Sequence, residues 1–105
     1  RLDSAFDYPD YLATLRNRIW ENFDLPFEGS NTDARRATVY FRILRDGKVE
    51  GVYVESGSGS LPFDRSAYKA VIDLNGIKPL PPLPQAFVGE HLGVHFGFEY
   101  EPELM

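Results

Sequence analysis

His91 and His95 stand four residues apart in the segment HLGVHFGFEY. On a helix that spacing would bring two imidazoles to one metal ion. The apolar residues around them, Leu92, Val94, Phe96, Phe98 and Tyr100, recur at every second position instead, which is the period of a strand. Gly93 and Gly97 would each cost a helix ~1 kcal/mol. On a strand rising ~3.3 Å per residue the two histidines share a face but lie roughly 13 Å apart. One ion held at ~2.0–2.1 Å from each nitrogen does not span that gap. The chain has no cysteine, which removes disulfides, thiolate metal sites and cysteine nucleophiles. The expectation is no metal and no cofactor.

Two other stretches invite a chemical reading. ESGSGS places Gly57 and Gly59 directly beside Ser58, which is not the G-x-S-x-G spacing of a nucleophile elbow, and it lacks the Lys-Ser/Thr ending of a phosphate loop. It reads as a connector. The carboxylates Glu50, Glu55, Asp64 and Asp73 are scattered, and nothing in the sequence pairs two of them as acid and base. No catalytic residue is expected. An enzyme using His91 or His95 as a base would need a cleft around the ring and a displaced pKa.

The elements that must position these residues follow from pattern. At 105 residues the chain suits one domain over 1–105, and its 14% aromatic content argues against disorder. A net charge of −5 without a basic cluster repels phosphate backbones and anionic lipid, so no nucleic acid partner is expected. Residues 1–7 are polar and read as loosely held. In DYPDYLATLRNRIWENF, Pro9 suits a first helical turn, and Leu12, Leu15, Ile19 and Phe23 make an apolar stripe that Trp20 widens. A polar loop, LPFEGSNTD, ends it. ATVYFRILR and KVEGVYVES alternate on either side of Asp46-Gly47, a pair suited to a type I′ hairpin turn, with Gly51 marking a bulge. LPFDRSAYKAVIDLNG is a second helix with Phe63, Ala67, Ala70, Val71 and Leu74 inward and Asn75-Gly76 as its stop. PLPPLPQAF is a stiff extended crossing, and HLGVHFGFEY is the last strand. The order helix-strand-strand-helix-strand predicts an α+β fold: a two-layer arrangement of a three-stranded antiparallel sheet against two helices. The last strand pairs beside the first and lies at an edge.

This series of motifs resembles the C-terminal domain of the TonB/TolA family. The residues that carry the resemblance are Tyr8-Pro9, ATVYFRILRDGKVEGVYVESGSG, FDRSAYKAV, PLPPLPQAF and HLGVHFGFEY, spanning roughly residues 8 to 100. The resemblance implies a periplasmic domain that is not an enzyme. It implies a linker running back to an inner-membrane anchor helix outside this chain, which begins at Arg1 without Met and reads as a fragment or processed product. In the TonB-like branch the motor is of ExbB–ExbD type and the partner is the TonB-box peptide of an outer-membrane receptor, opened for transport. In the TolA-like branch the motor is of TolQ–TolR type, the partners are TolB and Pal, and the task is outer-membrane integrity. The long first helix and the polar loop after it are similar to the second branch.

Both branches imply β-augmentation, in which a partner segment adds to the edge of the last strand. An edge strand presents unpaired N–H and C=O groups that another chain can complete. The expected contacts are His91, Gly93, His95, Gly97 and Glu99, with the backbone of Val94 and Phe96. A homodimer that pairs or exchanges last strands is the other use of such an edge.

Overall fold

Pro9 occupies the first turn of α1 (Pro9–Asn22), where its missing N–H costs nothing, and Asp10 complements the positive end of the helix dipole. The computed structural model describes residues 1–26 and 33–102. The polar loop after α1 lies mostly outside the described residues, as does the end of the EPELM tail. Leu15 and Ile19 point into the core as the periodicity indicates, with Leu12 and Phe23 partly buried beside them. Tyr11 is the difference. It is buried because its hydroxyl crosses to the Pro-rich segment and donates to Pro81 O at 2.8 Å. Burial pushes the phenol up to about 12.

β1 (Arg35–Leu44) is the middle strand, flanked by β2 (Val49–Ser56) and β3 (His91–Tyr100) in the order β2-β1-β3. Both pairings are antiparallel. Ala37, Val39, Phe41 and Ile43 of β1 face the helices together with Leu92, Val94 and Phe98 of β3. The β1–β3 register runs unbroken from Arg35 opposite Tyr100 to Leu44 opposite His91, so β3 is positioned along its whole length. α2 (Leu61–Ile72) starts on the Ser60 side chain, whose hydroxyl accepts from Phe63 N at 3.3 Å, and it buries Phe63, Ala67, Ala70 and Val71. The fold is α+β, with one three-stranded antiparallel sheet and two helices covering one face.

The hairpin turn differs from the expected type I′. Gly47 N donates to Leu44 O and Leu44 N to Lys48 O, which makes a three-residue loop closed by a single glycine at φ 93°. Asp46 Oδ1 accepts from Lys48 N instead of leading a two-residue turn. The third loop residue makes room for Arg45, whose guanidinium donates to Phe87 O and Gly89 O at 2.8 and 3.0 Å and to Pro84 O at 3.2 Å. With Leu80, Leu83 and Phe87 buried, these bonds fix the Pro-rich crossing against the sheet. A Cβ on Gly47 would lie against Leu80 O and Pro81 O as well as strain the backbone. Gly47→Ala is therefore expected to cost about 1–3 kcal/mol from strain alone, with the contact added to it. Urea unfolding should show a lower midpoint with an unchanged slope.

Asn75 does more than stop a helix. A 3-10 turn over Asp73–Asn75 carries α2 on, and the Asn75 amide accepts from Val49 N and donates to Val49 O, both at 2.9 Å. Residues 1–7, expected to be loose, are held instead. Phe6 is buried, with its ring 4.8 Å from Tyr8, 5.8 Å from Tyr11 and 5.1 Å from Phe87. Leu2 bridges to Val94 of β3. Leu2 thus reaches the strand edge, while Phe6 packs among rings at the start of α1 and on the Pro-rich crossing. Among the described residues no helix is long and apolar enough to cross a membrane.

Candidate protein-docking edge

The outward direction of β3 can be read from one bonded pair. Arg1 N donates to His95 O at 2.8 Å and His95 N donates to Arg1 O at 2.7 Å. In an antiparallel strand both backbone groups of a residue point to the same side, and the side alternates along the chain. His91, Gly93, His95, Gly97 and Glu99 therefore turn their N–H and C=O groups to the open edge. Their side-chain positions lie on the face away from the helices. Val94 and Phe96 turn their backbone groups inward, opposite Phe41 and Val39 of β1. Val94 adds a buried side chain to the core, while Phe96 is half-buried.

The edge is divided. At Gly93 and His95 it is covered by residues 1–3, which run antiparallel to β3 and meet it in an isolated bridge. Asp3 N donates to Gly93 O at 2.9 Å, and Leu2 lies opposite Val94. At Gly97 and Glu99 no other segment among the described residues lies on the outward groups. Trp20, 41% exposed, stands 6.1 Å from the Phe96 ring and 5.6 Å from Phe98, so an aromatic shelf borders this open half on the helix side. Glu99 pairs with Arg36 at 3.2 Å on the solvent side, and both are exposed, which makes the pair worth little to stability. His91, at the other end, is exposed beside a shallow hollow that Arg45, Asp46 and Glu90 help to line.

The two glycines have different surroundings. A Cβ on Gly93 would meet the Asp3 carboxylate and the Tyr40 hydroxyl, so the bare backbone there admits the chain's own segment. A Cβ on Gly97 would have nothing within 4 Å.

His95 is the centre of a polar cluster that the alternation of β3 alone does not reveal. Its Nδ1 lies 2.7 Å from Glu55 Oε1 of β2, and its Nε2 lies 2.6 Å from Asp3 Oδ1 and 2.9 Å from Arg1 Nη2. The ring sits 4.9 Å from that of Tyr40, which lies between β2 and β3, and the side chain is only 12% exposed. The hydrogen bonds to Glu55 and then to Asp3 hold the His95 pKa above its ordinary value, against desolvation and the Arg1 charge. The Asp3 carboxyl is held below the usual range, chiefly by the same bond to His95. Both ring nitrogens are engaged, which leaves none to take a proton from a substrate. The two carboxylates also meet opposite nitrogens of one ring, so their oxygens diverge. Among the described residues no group of three possible ligands converges on a metal position. Tyr40 and Glu55 belong to the solvent-side sets of their own strands, so the order β2-β1-β3 was the signal that would have joined them to His95. Asp3 and Arg1 carried no periodic signal.

Family and fold connect this chain to known proteins. A family model described as TonB C terminal matches residues 8–96. Comparison with curated protein sequences finds no match. Among solved structures, a solution NMR structure of TolAIII bound to a peptide derived from the N-terminus of TolB matches with a TM-score of 0.66. The alignment covers 98% of this chain and 83% of that one at 23% identity, a likeness of fold. The family match runs from the residue that caps α1, through both helices and the hairpin, into the middle of β3, and the chain belongs to the TonB C-terminal family.

Proposed function

We propose that this chain is a periplasmic protein-binding domain that takes an extended segment of its partner as an added strand on the outer edge of β3. One observation carries the reading: this edge already holds an extended segment, residues 1–3, through antiparallel backbone bonds. The outward groups of Gly97 and Glu99 offer the same pattern further along. Gly97 lends support, since nothing in the described chain crowds it and a bare backbone lets another strand come close. Backbone bonds along 91 to 99 supply affinity, and the Trp20–Phe96 shelf selects apolar side chains at alternate positions of the incoming segment.

In this reading the domain is the far end of an energy transducer of TonB type. It docks the TonB-box peptide of an outer-membrane receptor and couples an ExbB–ExbD type motor, through an inner-membrane anchor, to transport. A second reading, a TolA-type domain serving outer-membrane integrity with a TolB-like or Pal-like partner, is favoured by the long α1 and by the likeness to TolAIII. The two are separated by titrating isotope-labelled chain in parallel with a TonB-box peptide and with a peptide from the N-terminus of TolB. Amide shifts should centre on Gly97, Glu99 and His95 for the true partner class. Shifts confined to α1, with residues 91–100 unmoved, would sink docking on this edge. Sedimentation of the free chain tests the homodimer, which displaces residues 1–3 from both copies if it pairs along the whole of β3.

A further inference from the structure

We propose that residues 1–3 are a cis occupant of the β3 edge, a short strand latched through His95 that a partner's extended segment must displace. The competition depends on the docking reading above, whereas the cis strand stands on the geometry of this chain alone.

The backbone groups involved are those an incoming strand would need. Arg1 and His95 exchange both of their bonds, and Asp3 N takes Gly93 O. A partner strand running the length of β3 therefore finds Gly93 and His95 closed, while Gly97 and Glu99 beyond them stay open. Three ordered residues with solvent beside their bonds make a marginal element that opens locally without unfolding the rest. The apparent affinity for a partner falls by the fraction of molecules in which the segment is away from the edge.

The side chains make the closure sensitive to protons. His95 is faced by Glu55 from β2, Tyr40 from β1, and Asp3 and Arg1 from the segment itself. With the imidazole protonated, Nδ1–H donates to Glu55 and Nε2–H to Asp3, two charge-assisted bonds. Loss of the Nε2 proton leaves a lone pair facing the Asp3 carboxylate, and Arg1 Nη2 becomes the donor to that nitrogen instead. The His95 pKa is raised, so its contribution is complete below the ordinary histidine value and is lost as pH rises through the value in the closed form. The Asp3 pKa is lowered, so its contribution is present above the ordinary carboxyl value and is lost as pH falls through the closed-form value. The latch is tightest between about pH 4 and 6.5, and it loosens on either side of that window.

The test uses the whole chain, isotope-labelled. At pH 6 the His95 amide, which donates to Arg1 O, should exchange with solvent about tenfold more slowly than the Gly97 amide once intrinsic rates are removed. The gap should narrow as pH rises through the His95 titration. Asp3→Asn removes the charge that faces Nε2. It should lose several-fold of the His95 protection and bind a peptide from the N-terminus of TolB, or a TonB-box peptide, several-fold more tightly than the parent. Equal exchange at His95 and Gly97 in the parent overturns the cis strand. An unlatched Asp3→Asn chain that binds no more tightly than the parent overturns the competition. If neither chain binds either peptide, the docking reading fails and the competition fails with it, while His95 protection still decides the cis strand.

Discussion

Phe98→Ala is expected to lower the free energy of unfolding by about 3–5 kcal/mol, the range for deleting a large aromatic side chain from a core that does not close over the gap. Phe98 is fully buried on β3, opposite Ala37 of β1, where the small partner leaves room for the ring. Its centroid lies 5.6 Å from Trp20, 5.3 Å from Phe23 and 5.0 Å from Phe96. Phe23 in turn lies 5.7 Å from Phe63 of α2, so this ring ties the end of α1 and the start of α2 to the docking strand. Rings held from three elements do not collapse together, which argues for the upper part of the range. A small domain has about 5–15 kcal/mol in all, so the loss is a large share. Urea unfolding followed by Trp20 fluorescence measures it. A cost under about 1 kcal/mol would mean that the aromatic cluster does not hold α1 to β3. Phe98→Leu, which keeps most of the volume, should cost clearly less.

Much of this fold was legible because burial leaves a period. The alternation in β1 and β3 and the three- and four-residue steps of α2 name the inward side chains directly, and Phe63, Ala67, Ala70, Val71 and Leu74 are all buried. What stayed hidden is held by bonds without a period. Arg45 reaches three carbonyls of the Pro-rich crossing, Asn75 pairs with Val49, and Tyr11 reaches Pro81. Each depends on which distant segment passes by, and a single polar residue in a sequence does not encode that. The docking edge is a mixed case. The alternation separates the outward residues of β3 from the inward ones. It does not tell that Gly93 and His95 lie under Asp3 and Arg1, whose contacts span ninety positions of chain or more. Leu2 and Phe6, two apolar residues in an otherwise polar end, were the only trace.

Gly97→Pro is expected to weaken docking of an extended peptide at least ~tenfold while the chain stays folded. The Gly97 N–H points to the open edge, where no segment of the described chain accepts it. Removing it takes nothing from the β1–β3 ladder, and proline is tolerated where the lost donor faces outward on an edge strand. Space is available, since nothing lies within 4 Å of a Cβ built there. The ring also keeps Phe96 extended, as it already is within β3. An added strand, by contrast, loses a hydrogen bond in the middle of its run and meets a ring where it should lie flat. A loss of ~1.4 kcal/mol already gives tenfold. Val94→Pro provides the contrast: its N–H is turned toward β1, so proline there breaks the interior ladder and should unfold the chain. Gly97→Ala keeps the donor and should bind nearly as the parent does, which separates the missing N–H from added bulk. Peptide titration, with circular dichroism as the folding control, reads all three. Parent-like binding by a folded Gly97→Pro chain would mean that the partner does not add along the Gly97–Glu99 half of β3, and docking would then have to be sought elsewhere.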